Sequence, residues 1–302
     1  NNPARTYAGL FGYIKNSRIK NIHLNGALTS VVARDIVGIL AGTAETTSVE
    51  KVSVSGKVKA SSVAGGLIGE GLNYVQILNS SSQGAVTANN STGGLVGKLH
   101  GLFQNQDGRF ARNYIYYSFS NSKVIAETTS AQNMGGLVGQ IEDGGEVHTS
   151  FATGSVEGSH YVGGLVGSNE GINKIINGKV VNFKASILQS YATGDVLANN
   201  PNGSSVGGLV GRVNNLVVIY KSFSHGARSE MGQNLPGGLI GSLAYDGEVV
   251  NSYWIKQINQ QYVSEDPLHG EGLSLSALQC ATHDNITIEN STCLPALNDA
   301  GQ

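Results

Sequence analysis

The sequence predicts an all-β fold: a parallel β-solenoid (β-helix) of about eight coils of roughly 28 residues, with two hairpin insertions and a C-terminal cap. Three observations predict it. A glycine-bracketed phrase returns along the chain, as "AGGLIG" at 64–69, "TGGLVG" at 92–97, "MGGLVG" at 134–139, "VGGLVG" at 162–167 and 206–211, and "PGGLIG" at 236–241. A second phrase follows each one, clearest at 187–196 as "ILQSYATGDV". Between the glycines stands Leu10, Leu40, Leu67, Leu95, Leu137, Leu165, Leu209 or Leu239, a leucine in all eight repeats.

The last glycine of the first phrase falls at Gly12, Gly42, Gly69, Gly97, Gly139, Gly167, Gly211 and Gly241, so the steps are 30, 27, 28, 42, 28, 44 and 30. Both phrases are short, rich in β-branched residues and bounded by Gly, Asn and Ser, which are strand and turn signals. A unit of this length cannot bury its own apolar face, but stacked units can. The leucine file then forms the core, each buried leucine contributing about 1.5–3 kcal/mol. The glycines are expected to make the first phrase a core rung with a corner at either side.

In the second phrase the fourth, sixth and tenth positions are apolar or small, and the fifth, seventh and ninth are polar or mixed. Strand alternation therefore directs the first set inward and the second outward. The fifth position is aromatic from the fourth repeat onward: Phe119, Phe151, Tyr191, Phe223 and Tyr253. These rings are expected to form an outward column at intervals of about 4.8 Å.

The two long steps locate two insertions, "KLHGLFQNQDGRFARNY" at 98–114 and "SNEGINKIINGKVVNFKAS" at 168–186. Each contains a type I′ hairpin signal, Asp107-Gly108 or Asn177-Gly178, 11 residues past the last phrase glycine. Two hairpins should leave the same face about 10 Å apart. Lys98, Arg109 and Arg112 make the first locally positive; Lys174, Lys179 and Lys184 do the same for the second. The candidate ligand- or partner-binding set is Phe103, Arg109, Phe110, Arg112, Phe119, Phe151, Lys174, Lys179, Lys184, Tyr191 and Phe223. The aromatic column can alternatively serve to shield the sheet, and the hairpins can be ordinary soluble loops.

Beyond Trp254 the repeat is lost. Residues 1–255 are assigned to the solenoid and 256–302 to a cap, because an open sheet edge at a solenoid end is an aggregation hazard. "LSLSALQ" at 273–279 is expected as a short helix. Cys280 and Cys293, 13 residues apart without a CxxC partner, would close a disulfide loop in a secreted protein. The N-terminal end shows no comparable cap, which points to further sequence upstream.

Composition narrows the function. Charged residues make up 13% of the chain and the net charge is -2, which disfavours nucleic acid as a partner. No apolar run approaches the ~18 residues of a membrane span. The seven histidines share no spacing that would hold zinc, and no cofactor motif is present. An enzymatic reading rests on Glu142 and Glu170, which perfect stacking would place ~5 Å apart, about the separation in a retaining glycosidase. Asp143 beside them could instead contribute to a Ca²⁺ site, and solvated turn acids are the plainer reading.

The pairing of G-G-L-[VI]-G with N/Q-S-[YF]-A-T-G-x-V over residues 7–255 resembles the GLUG repeat. "NSYWIKQ" at 251–257 is similar to the way such arrays end. The resemblance implies a secreted or cell-surface bacterial region that supports binding of a host or environmental glycan or protein surface, next to neighbouring domains of one long chain. It is also found in IgA-specific metallopeptidases, whose catalytic HExxH motif is not in this sequence. The expected function is therefore non-enzymatic, structural or adhesive, with a binding face at coils 4–6.

Overall fold

The computed structural model of the chain describes residues 6–104, 110–200, 205–230, 236–244, 246–256 and 270–273. Every regular element among the described residues is a β-strand. The strands form three parallel sheets, which are three faces visited in turn by each repeat. The first face has seven strands, from Tyr7–Ala8 to Val206–Gly207; the second has eight, from Phe11–Lys15 to Ile240–Ala244. The third runs from Arg18–Val32 through Tyr253–Ile255 to Glu271–Leu273. Like residues lie on like: Val96 pairs with Ile68 on one side and Val138 on the other, and Val166 with Val138 and Val210. This all-β arrangement of parallel sheets is the one expected of a solenoid.

The glycine phrase wraps one corner, not two. In the third repeat the first-face strand ends at Gly65 and the second-face strand begins at Ile68, with the bend at Gly66 and Leu67 between them. The last glycine already lies inside the second-face strand, so it cannot be a corner. Leu40, Leu67, Leu95, Leu137, Leu165, Leu209 and Leu239 are fully buried, and the leucine file is the spine of the main core. Leu10 is the exception at 57% exposed, because the first repeat has a neighbour on one side only among the described residues.

The second phrase follows the expected alternation. Its sixth-position residues Ser82, Ser120, Ala152 and Ala192 and its tenth-position residues Val58, Val86, Val124, Val156 and Val196 are buried. The small residue at the sixth position has a reason. A Cβ on Gly136 would lie 2.8 Å from Ala152 Cβ, and one on Gly164 would lie 2.9 Å from Ala192 Cβ. From the third repeat to the seventh the two faces therefore touch, glycine to alanine or serine, across the middle of the repeat. From the fourth repeat on, this pinch separates the leucine core from a smaller cluster built of Met134, Val162 and Val206 with Val124, Val156 and Val196. In the last repeat Trp254 takes the sixth position, in register with Ser224, and its ring fills the space against Gly238.

The serine at the fourth position answers to a second constraint. The residue before it has positive φ in every repeat, at Asn21, Lys51, Asn79, Tyr117, Thr149, Gln189, Lys221 and Asn251. That left-handed step kinks the strand and turns the serine inward. Each hydroxyl donates to the carbonyl two residues back, as Ser190 to Leu188 at 2.7 Å, and accepts from the backbone N–H one repeat away, as from Ser150 at 3.2 Å. The same pair of bonds recurs at Ser80, Ser118, Ser150, Ser222 and Ser252, giving a hydroxyl ladder along the axis. Backbone groups freed by the kink are thereby satisfied inside an otherwise apolar core.

Of the expected cap, Glu271–Leu273 adds a parallel strand beside Tyr253–Ile255. Cys280, Cys293 and residues 274–279 of the expected helix lie outside the described residues; Leu273 itself is strand.

Candidate functional site

Both insertions form hairpins. In the fourth repeat Phe103–Gln104 pairs antiparallel with Phe110–Ala111, while Arg109 and the Asp107-Gly108 tip lie outside the described residues, as does the Phe103 side chain. In the sixth, Ile172–Ile176 pairs with Lys179–Phe183, and Asn177 and Gly178 both have positive φ, 50° and 74°, as a type I′ turn requires. The two are not independent loops. Phe110 packs edge-to-face on Phe183 with ring centres 5.4 Å apart. The Arg112 guanidinium donates to the Lys184 carbonyl of the second hairpin and to the Gly144 carbonyl of the repeat between them, the latter at 3.3 Å. Phe183 lies over the Asp143–Gly144 turn of that repeat, so the hairpins meet above it.

The base of the first hairpin is fastened by Asn113, which is buried. Its Oδ1 accepts from Val75 N at 2.8 Å and its Nδ2 donates to the His100 carbonyl at 2.9 Å. Next to it lies a tyrosine cluster that sequence reasoning missed. Tyr114 is 6.1 Å from Tyr74 and 4.8 Å from Tyr116, which is 5.2 Å from the His148 ring and 6.3 Å from Tyr117. The available signal was "NYIYYSFS" at 113–120, where Tyr114 and Tyr116 alternate outward just ahead of Phe119. The Tyr116 hydroxyl donates to Glu146, which also pairs with Arg112 at 3.5 Å. Burial, then Tyr74, pushes the Tyr114 hydroxyl up to about 12; burial and the Glu146 bond raise Tyr116 further. Both stay protonated across the physiological range.

Charge on the hairpins is partly spent within the fold. Lys98 pairs with Glu142 at 3.0 Å, Arg112 with Glu146, and Lys184 with Glu248 at 3.4 Å. Lys174 and Lys179 have no ion-pair partner among the described residues. The outer face of the second hairpin is apolar at its centre: Ile175 and Val180 face each other across the strands, 79% and 66% exposed.

The aromatic column stands outward between buried neighbours. Phe119, Phe151, Tyr191 and Phe223 are half-buried, with successive ring centres 4.9 Å apart and planes within 8° of parallel. Tyr253 continues the register but is buried. In an offset stack of this kind each ring's faces lie on its neighbours. Phe151 and Tyr191 therefore each have a parallel ring on both sides.

Of the carboxylates considered for the enzymatic and Ca²⁺ readings, two have partners within the fold. Glu142 accepts from Lys98 and from Gln140 Nε2 at 2.7 Å, and Asp143 accepts from Gly101 N at 2.8 Å. Among the described residues no three His, Cys, Asp or Glu side chains converge as a metal site would require. His100 is bound to Glu70, and His160 to Asn200.

Residues 158–197, which include the second hairpin and Tyr191, match the model of the GLUG motif, so the resemblance read from the two phrases is shown there. The chain is similar to Halomucin of Haloquadratum walsbyi, 38% identical over 122 residues that make up 39% of this chain and 1% of that protein. It is also similar to the zinc metalloprotease ZmpC of Streptococcus pneumoniae, 28% identical over 207 residues, 62% of this chain and 10% of the protease. The chain thus spans a small fraction of the length of either relative.

Proposed function

We propose that this chain, a GLUG-repeat array, is a non-enzymatic region of a large secreted or cell-surface bacterial protein: about eight coils closed into a rigid spacer that presents a contact zone at repeats 4–6. Its partner is a host or environmental glycan or protein surface. The observation that carries the reading is the meeting of the two hairpins. Two insertions at the same offset, joined by Phe110 on Phe183 and by Arg112 on the Lys184 carbonyl, form one raised platform on an otherwise regular array. Loops held on a rigid scaffold are where binding residues concentrate. The platform offers exposed Ile175, Val180 and Lys179 and half-buried Lys174, with the tyrosine cluster at its foot; the ring ladder supports it. Among the described residues no helix is long and apolar enough to cross a membrane.

The test compares wild type with a variant lacking both hairpins on a glycan array and on immobilised extracellular matrix proteins. Loss of binding in the variant, with Tm retained, supports the contact zone; equal binding by both removes it. The similarity to ZmpC favours a second reading, that the region is an accessory part of a metallopeptidase whose catalytic domain lies elsewhere in the gene. The complete open reading frame decides: an HExxH motif outside these residues supports it.

A further inference from the structure

The turn that leads from the second face into the third is not the same length in every repeat. Ser48 and Gln76 are register partners, yet Ser48 lies six residues past Gly42 and Gln76 seven past Gly69. The first repeat has the short form too, since Arg18 pairs with Ser48 and lies six past Gly12. Asn73 continues the ladder of Asn16 and Thr46, and Val75 takes the buried place of Thr47, so the added residue is Tyr74. It stands at φ 77°, directly after Asn73 at 51°. Left-handed backbone is unusual for a bulky residue, and Gly144 takes the same step in the fifth repeat. The Tyr74 ring packs edge-to-face on Tyr114, 6.1 Å away.

Beside this overhang the two short turns leave an open groove of about 320 Å³, lined by Tyr74 and by polar groups. Thr46 donates its hydroxyl to the Asn73 carbonyl at 3.0 Å. The side chains of Asn16, Ser48 and Gln76, also in the lining, have no hydrogen-bond partner among the described residues. Arg18 is the one charge in the lining, its side chain 67% exposed. It reaches Glu50 through a single nitrogen at 3.5 Å, while Lys20 holds that carboxylate at 2.6 Å.

We propose that this groove is a binding subsite for a carboxylated sugar ring. The Tyr74 ring lies against the C–H face of the sugar, and Asn16, Ser48 and Gln76 meet its hydroxyls. Arg18 clamps the carboxylate with the guanidinium nitrogens that Glu50 leaves unpaired. A few convergent polar groups beside one ring, in a recess of this size, suit such a ligand. The subsite rests on the glycan form of the function proposed above and gives it a ligand class, but it lies in repeats 1–3, apart from the hairpin platform.

The experiment titrates the whole chain by calorimetry with trigalacturonic acid, sialyllactose and neutral maltotriose. We expect at least one acidic probe to bind at least about tenfold more tightly than the neutral one, and which acid binds identifies the source. Arg18→Gln should erase that preference. Tyr74→Asn removes the ring but keeps a residue at ease in the left-handed turn, so affinity should fall at least about tenfold with Tm unlowered. Tyr74→Phe should retain binding. No binding of either acid, equal affinity for acidic and neutral probes, or affinities unchanged by both Arg18→Gln and Tyr74→Asn would overturn the proposal. A chain lacking both hairpins separates the two readings. Binding that survives there but not in Tyr74→Asn supports this groove; the reverse assigns the ligand to the platform and overturns it.

Discussion

Asn169 occupies an inward position between Ile141 and Val213 of the neighbouring repeats, fully buried, with neither its Oδ1 nor its Nδ2 hydrogen-bonded. A buried polar group without a partner costs about 1–3 kcal/mol, so Asn169→Val should raise stability by about that amount. A calorimetric scan checks it, and a lower Tm would contradict it. The hydroxyl ladder gives the opposite sign: Ser190→Ala strands the Ser150 N–H and should destabilise by about 1–3 kcal/mol. Gly164→Ala should be worse tolerated, because its Cβ would stand 2.2 Å from the Gly208 carbonyl oxygen. Inward and outward positions were legible in the sequence because period two is strict in a strand. The serine's purpose was not, since it depends on a left-handed step at the preceding residue, and Asn, Lys, Tyr, Thr and Gln all take that step here.

The hairpins are the elements on which the functional reading turns. The second hairpin and its turn type were written in Asn177-Gly178; the contact between the two hairpins was not, because Phe110 and Phe183 are 73 residues apart in sequence and meet only through the stacking of the repeats between. A double-mutant cycle of Phe110→Ala and Phe183→Ala should yield a coupling of about 0.5–1.5 kcal/mol, measured by urea denaturation, and additive effects would deny the contact. The tyrosine cluster beside them links stability to alkaline pH. Tyr114 titrates higher in the folded chain than the ordinary 10, so its contribution is complete below pH 10 and is lost as pH rises toward about 12. Ultraviolet titration should show tyrosines ionising later in the folded than in the urea-unfolded protein. The aromatic column was legible in place and spacing, whereas the near-parallel setting of its rings depends on side-chain rotamers that no residue pattern encodes.

At the scale of the molecule, each repeat's core positions are sealed by the repeats on either side, which is why Leu137 is fully buried and Leu10 is not. Leu137→Ala should therefore cost about 2–5 kcal/mol and Leu10→Ala a small fraction of that, by thermal denaturation. The leucine file could be counted in the sequence, but which of its members sits at a boundary is a property of the stack. The parallel ladders have one more consequence. Their backbone hydrogen bonds point along the length of the array, so a pull applied to its two ends loads them one layer at a time rather than all together. Each layer that peels away frees a stretch of roughly 28 residues, about 90 Å of extended chain. A tether built this way would lengthen under load in even steps, with two longer ones where the hairpins ride.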